Sequence, residues 1–434
     1  MRSSSSLPHF RPALDEWSDF TRCMARLLAE PSVRVAGAFK VTPPAGWARA
    51  PMSKADYDAV RFPIVTPMRQ HVAGRRGTYA LNLVDVETVS SRALALAAPI
   101  SPVAYGDAAG GFDALCDHFW KNLRFSDAPV YGADQRGSLL DGMDCGEWNL
   151  QHLDTPLQVL PCEIAGVSSP MLYFGTYGSM FAWHTEDVDL AALNYLHSGE
   201  PKVWYTVPPS AHRKMTRAFK TGFATDYREC AVAHRHKTFF LAPNVLKDAG
   251  VPFTRTIQMP GEFIVVAPKT FHAGFNCGYN IAESVNFLPP GDEWWAMGCA
   301  ASQCFCSADN VHFQVAALRR AAEETIGKAC AALASGCASH EIGIGTASAS
   351  TVERAAARVV CEQSESEPRR GGGGDDGDDG DEGGALELSI GSHVDVFAAE
   401  RWWVARVETL RAIELTEAGS AARRSAPLDA LVLA

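Results

Sequence analysis

The sequence predicts a mainly β core with flanking helices, of the sandwich or jelly-roll kind. Three observations carry this. From about residue 139 to 290, short β-favouring runs recur: Met171–Tyr177, Met180–Glu186, Val203–Val207, Thr238–Leu241 and Phe263–Ala267. Turn signals rich in Pro and Gly separate them, at Ser198–Pro201, Pro208–Ser210, Pro260–Gly261 and Pro289–Gly291. Regular short strands punctuated this way close into sandwiches or barrels. Around this region the apolar spacing turns helical instead, at 11–30, 112–123, 211–219 and 311–334.

Taken in order, residues 11–30 read as one amphipathic helix. Pro12 suits its first turn, Asp15 and Glu16 favour the positive end of its dipole, and Leu14, Trp17, Phe20, Met24 and Leu27 share a face. Phe39 and Val41 suggest a short strand, which Pro43 and Pro44 end. The run Thr78–Val86 reads as a strand or strand pair, and Phe112–Leu123 as a helix carrying Phe119 and Trp120. The helix from Ala211 to Phe219 is expected to open at Ser210. Residues 339–385, ending in an acidic Gly/Asp tract, lack the apolar content to bury a core and are expected to be a disordered linker. Beyond it, 386–434 alternates again around Trp402 and Trp403 and suggests a small β unit.

Bulk properties narrow the function classes. The 434 residues are 47% hydrophobic and 21% charged, as in a globular protein. No apolar run reaches the roughly 18 residues of a membrane span, and Met1–Ser6 has no apolar signal core, so an intracellular protein is expected. The twelve cysteines are scattered, which favours free thiols or metal ligands over a disulfide framework. Six of the net −11 charges fall in Asp375–Glu382. The mild acidity of the rest gives no strong nucleic-acid signal and permits a basic partner.

The chemistry centres on Phe181-Ala182-Trp183-His184-Thr185-Glu186-Asp187. On a strand, residues i and i+2 share a face, so His184 and Glu186 would project together. With His272 downstream they form two histidines and a carboxylate, the facial set that holds non-haem Fe(II) and leaves positions open. An isolated His-x-Glu also arises by chance. A chelating 2-oxo acid would fill two open positions, and Lys202 could then take its far carboxylate; otherwise Lys202 is a surface lysine. Cys230, His236, Cys304 and Cys306 offer three thiolates and an imidazole, the donor set of a closed tetrahedral Zn(II) site. His234 competes with His236 for that place, and spacing does not separate them.

Three stretches resemble the JmjC domain of the JmjN/JmjC histone lysine demethylases: Phe181–Asp187, Leu193–Tyr205 and Phe271–Asn276. Residues Phe10–Pro12 through Val41–Trp47 resemble the JmjN motif, and Phe119–Leu123 and Val130–Asp134 resemble the stretch between them. The resemblance covers about residues 8–310. The cysteine–histidine cluster resembles the subgroup acting on trimethylated lysine-9 and lysine-36 of histone H3. The implied fold is a double-stranded β-helix, a cupin-like jelly roll. The implied organisation is a JmjN domain at 8–50, a mixed region at 51–138, a JmjC domain at 139–303, a zinc-site end with a helix at 304–338, the linker at 339–385 and the small β unit at 386–434, which weakly resembles a Tudor barrel.

The resemblance also implies roles. His184, Glu186 and His272 would bind iron. Tyr131, Phe181, Asn194, Lys202 and Trp204 would surround 2-oxoglutarate. Tyr173, Ser284, Asn286, Glu186 and the Gly166 carbonyl would cage the methylammonium head, with Asp134 and Lys237 lining the peptide groove. Zinc would be held by Cys230, His236, Cys304 and Cys306, which decides for His236. The implied activity is oxidative removal of methyl groups, with release of formaldehyde. The implied partner is the histone H3 tail in chromatin, and the implied location the nucleus. A protein hydroxylase on the same fold and a non-catalytic chromatin scaffold are the alternative readings.

Overall fold

The computed structural model describes residues 6–47, 54–106 and 111–334, apart from positions 125, 142, 154, 292, 307–310 and 312, together with strands between 393 and 433. The expected linker at 339–385 lies outside the described residues. The chain forms two compact units, 1–158 with 163–312 and 159–162 with 313–434.

The core of the first unit is built on two sheets, and a separate two-stranded sheet lies in the region before it. Before its core come β1 (His9–Phe10), β2 (Ala38–Val41), β3 (Pro63–Ile64), β4 (Met68–Arg75), β5 (Thr78–Asp85), β6 (Val89–Ser90) and β7 (Val130–Arg136). The core runs through β8 (Met171–Gly175), β9 (Met180–His184), β10 (Ala191–Gly199), β11 (Lys202–Val207), β12 (Phe239–Leu241), β13 (Thr254–Gln258), β14 (Phe263–Val266), β15 (Phe271–Asn276) and β16 (Asn280–Phe287). The larger sheet contains β14-β10-β16-β8 side by side, and the smaller is β13-β11-β15-β9. Every pairing among these eight strands is antiparallel. The chain passes between the sheets as it advances, which is the winding of a jelly roll.

The sheets meet across Ala192, Ile264 and Val266 on one side and Phe181 and Trp204 on the other. The outer face of the larger sheet (Leu193, Tyr195, Phe263, Val285, Phe287) is covered by Trp17, Phe20, Met24 and Leu27. The outer face of the smaller sheet (Val203, Tyr205, Phe271, Phe275) is covered by Phe119, Met215 and Phe219 from helices Asp113–Asn122 and His212–Gly222. Most of the core strands are therefore buried on both faces, the edge strand β13 excepted. This explains why β10, β15 and β16 carry no alternating signal: with no solvent face there is no polar phase to detect. Ala191, Ala192 and Asn194 also lack β propensity.

The expected helix over 11–30 is broken. Helix Leu14–Trp17 precedes Phe20–Ala29, because the Asp19 side chain accepts the Arg22 N–H at 2.8 Å and starts the second helix anew. Leu14 is consequently 54% exposed rather than part of the buried face. Ser210 does not cap the later helix; it lies inside a 3-10 turn, Pro209–Ala211, that leads into His212. The N-terminal region also joins the core directly: β1 pairs with β2 in parallel, and β2 extends the large sheet beside β14.

In the second unit, Val315–Ala334 is helical. The strands β17 (His393–Ala398), β18 (Arg401–Thr409), β19 (Ala412–Glu417), β20 (Arg423–Pro427) and β21 (Val432–Leu433) form a five-stranded sheet in the order β20-β19-β18-β17-β21.

Candidate metal centre and co-substrate pocket

His184 ends β9 and His272 lies in β15, and the register places them directly opposite one another. Their ring centroids are 4.1 Å apart. The Nδ1 atoms lie 2.7 Å from the Ala182 carbonyl and 3.2 Å from the Thr270 carbonyl. A carbonyl can only accept, so each Nδ1 carries a proton, which leaves Nε2 as the atom of each ring that a metal would take. Burial, then the neighbouring His272, pushes the His184 imidazole down to about 3, so it is neutral and available near pH 7.

Glu186 is not on the strand. β9 stops at His184, and Glu186 precedes the 3-10 turn Asp187–Asp189. Its backbone is nonetheless extended, with φ −63° and ψ 155°, which preserves the i, i+2 relation without a ladder to hold it. Its Oε1 lies 3.2 Å from His272 Nε2. Burial alone would raise the Glu186 carboxyl, but the His272 hydrogen bond and the nearby charges outweigh it and hold the group well below the usual carboxylate range. One ligand atom from each of His184, Glu186 and His272 lies within 4.8 Å of the others. Two imidazole nitrogens and one carboxylate oxygen on one side fit a facial metal site that leaves further positions open.

Lys202 starts β11, in register with Asn276 on one side and Gln258 on the other. It is 1% exposed and donates to Asn276 Oδ1 at 2.6 Å. Burial pulls its ammonium down to about 7. Among the described residues no carboxylate is ion-paired to it. Tyr131 is buried nearby, its ring centroid 5.8 Å from the Lys202 Nζ. Asn194 Oδ1 is buried with no hydrogen-bond partner. Phe181 and Trp204 pack at 4.6 Å, Trp204 lies over His272 at 5.9 Å, and Trp204 Nε1 donates to Gln258 Oε1 at 2.8 Å. A buried cation with no ion-paired carboxylate among the described residues fits a carboxylate group of a ligand, whereas the orphaned Asn194 oxygen calls for a donor.

Further along the interior, Ser284 is opposite Asn194, and Asn286 opposite Ala192. Ser284 Oγ donates to the Leu193 carbonyl at 2.7 Å and Asn286 Nδ2 to the Ala191 carbonyl at 3.2 Å. The Gly166 carbonyl accepts the Asn286 N–H at 2.9 Å, which leaves one lone pair for anything else. Tyr173 is hydrogen-bonded to Asp134, which is exposed to solvent and lies near the Lys237 ammonium. Asp134 and Lys237 both adopt φ 56°, and Lys237 Nζ lies 3.1 Å from Asp187 Oδ2. Of these residues, Tyr173 and Lys237 lie close enough to Glu186 to act on it electrostatically.

A second cluster joins one ligand atom each from Cys230, His236, Cys304 and Cys306 within 4.8 Å. Cys230 and Cys304 sulfurs are 3.7 Å apart, and His236 Nε2 is buried without a partner. Three sulfurs and an orphaned imidazole nitrogen fit a tetrahedral zinc site. His234 instead bonds the Tyr227 hydroxyl through Nδ1 at 2.9 Å and stacks on Phe219, a packed core histidine.

The residue reading assigned nothing to Asn276, Gln258, Asp189 or Arg235. Asn276 had a signal, since it is four residues after His272 in a run read as one motif and so shares its strand face. Gln258 had none, because its place depends on the β11–β13 register.

The class follows from this geometry and from comparison with known proteins. Residues 171–287, which carry His184, Glu186 and His272, match the family model described as "JmjC domain, hydroxylase". At the level of whole proteins, the chain is 39% identical over 323 residues to Lysine-specific demethylase 4D of Rattus norvegicus, covering 73% of this chain and 61% of that protein. It is 38% identical over 315 residues to Lysine-specific demethylase 4B of Mus musculus, covering 71% and 28%. It is 37% identical over 326 residues to Probable lysine-specific demethylase 4F of Homo sapiens, covering 73% and 49%. The chain thus spans 61% or less of the length of these curated relatives.

Proposed function

We propose that the chain is an Fe(II)- and 2-oxoglutarate-dependent dioxygenase that demethylates di- and trimethylated lysine-9, lysine-36 or both on histone H3, releasing formaldehyde, succinate and carbon dioxide. One observation carries the reading. Two imidazoles and a carboxylate converge inside a jelly roll that also buries a lysine with no ion-paired carboxylate among the described residues. The printed names of the relatives, lysine-specific demethylases, support the substrate class. The Cys230–His236–Cys304–Cys306 cluster supports the lysine-9 and lysine-36 subgroup through its resemblance.

Iron bound by His184, Glu186 and His272 would supply the oxidising chemistry, with 2-oxoglutarate and dioxygen as co-substrates. Lys202 neutralises the far carboxylate of the co-substrate, Tyr131 and Asn194 hold its polar edge, and Phe181 and Trp204 pack its chain. Tyr173, Ser284, Asn286, Glu186 and the Gly166 carbonyl present oxygens to polarised N-methyl groups through C–H···O contacts. Asp134 and Lys237 orient the peptide. The second cluster holds structural zinc. A chromatin substrate places the protein in the nucleus, which imaging of the tagged full chain checks.

The test is incubation with trimethylated H3 peptides, Fe(II) and 2-oxoglutarate, followed by mass. Successive losses of ~14 Da with formaldehyde release are expected, and none in His184→Ala. Peptide binding without mass change refutes catalysis. The word "hydroxylase" in the matched family description favours one second reading, protein hydroxylation, for which a gain of ~16 Da on unmethylated peptide is the signature.

A further inference from the structure

Arg235 is one residue before His236, in the 3-10 turn Ala233–His236, and is 6% exposed. Its Nη1 donates to the Glu186 carbonyl at 2.9 Å and its Nη2 to Asp189 Oδ1 at 2.8 Å. Asp189 Oδ1 also accepts from Thr185 Oγ1 at 3.2 Å, and the Asp189 carbonyl accepts from Trp294 Nε1 at 3.0 Å. The guanidinium and its carboxylate therefore grip both Glu186 and the residue between it and His184. That grip is needed because β-sheet pairing ends at His184. Beyond Glu186 the backbone is strained: Val188 has φ 44° and Asp189 φ 53°, left-handed values disfavoured for side chains, most of all a β-branched one. Such a turn persists only when surrounding contacts over-determine it. A small cavity lined by Asp187, Val188, Arg235 and Cys304 shows how close this turn lies to the cysteine–histidine cluster.

We propose that Arg235 is a positioning residue that ties the Cys230–His236–Cys304–Cys306 arm to Glu186, so that zinc loading of the arm sets the metal affinity of the His184–Glu186–His272 site. This rests on reading both clusters as metal sites. It concerns where the Glu186 carboxylate is held, a role for groups behind the ligands, whose loss commonly costs 10- to 100-fold in metal affinity.

The experiment titrates Co(II), followed by its visible d–d bands, into zinc-loaded full chain. The double variant Arg235→Met/Asp189→Leu removes the buried ion pair together, so that neither charge is left unpaired. Co(II) affinity is expected to fall tenfold or more while zinc stays at one per chain and unfolding remains cooperative. Arg235→Lys should fall between, since one ammonium cannot serve both acceptors with the same planar fork. Cys306→Ser, at an exposed ligand, should lose zinc and weaken Co(II) binding. Its effect should vanish when added to the double variant. Unchanged Co(II) affinity in the zinc-loaded double variant, or full additivity with Cys306→Ser, overturns the coupling alone. Failure of the wild type to bind Co(II) at all overturns both the metal-site reading and the coupling.

Discussion

Replacing Lys202 with methionine should make the protein more stable and unable to bind 2-oxoglutarate, the co-substrate proposed above. The side chain is 1% exposed, and burial brings its ammonium from 10.5 down to about 7. Holding that group in the folded state near neutral pH costs on the order of 4 kcal/mol. Methionine is of similar length, removes the charge, and leaves Asn276 Oδ1 with the Asn280 amide at 3.0 Å. Subtracting about 1 kcal/mol for the lost Lys202–Asn276 hydrogen bond and a similar amount for imperfect packing leaves a gain of about 2 kcal/mol. The pH dependence has a definite sign. Between pH 7 and 10.5 the unfolded chain keeps a proton on Lys202 that the folded chain releases, so wild-type stability rises with pH through this window. The variant should lack that rise. Urea melts at several pH values, with and without 2-oxoglutarate, measure both effects. Saturating co-substrate should stabilise the wild type by about 2.7 kcal/mol at 100 times its Kd and leave the variant unmoved. A variant less stable than wild type at pH 7, with an unchanged m-value, would refute the buried-charge argument. Retained binding would refute the role of Lys202 as the carboxylate partner.

Three further outcomes follow from particular contacts. A Cβ at Gly274 would lie 2.1 Å from the Val203 carbonyl oxygen and 2.4 Å from the Phe181 ring, so Gly274→Ala should cost about 1–3 kcal/mol in a urea melt and weaken co-substrate binding by displacing Phe181. Trp148 stacks on Trp17 at 3.4 Å and donates Nε1 to the Trp17 carbonyl at 2.8 Å, so Trp148→Ala should cost about 3–5 kcal/mol, and a loss below 1 kcal/mol would contradict the packing. Cys304→Ser should lose zinc and lower Tm, by metal analysis and calorimetry; zinc retained at one per chain would show that Cys304 is not a ligand.

By itself the sequence determined the class of chain and the chemistry available to it. Short turn-bounded runs marked several core strands because β-branched and aromatic residues cluster there, as in Val203–Val207 and Phe263–Val266. Donor types at short spacing marked His184 with Glu186, and Cys304 with Cys306, since neighbours on an extended backbone stay together whatever the rest of the chain does. The tertiary structure decided the rest. Strands such as Ala191–Gly199 are written in residues that propensity overlooks and are stabilised by burial on both faces. Lys202 meets Asn276, and His184 meets His272, only through strand register, which depends on closure of the whole jelly roll. Arg235 is the plainest case: nothing local distinguishes it from a surface arginine, and only the fold delivers its guanidinium to the carbonyl of Glu186. Local spacing is set by covalent geometry and so is legible in the chain, whereas long-range pairing is set by the packing of the whole core.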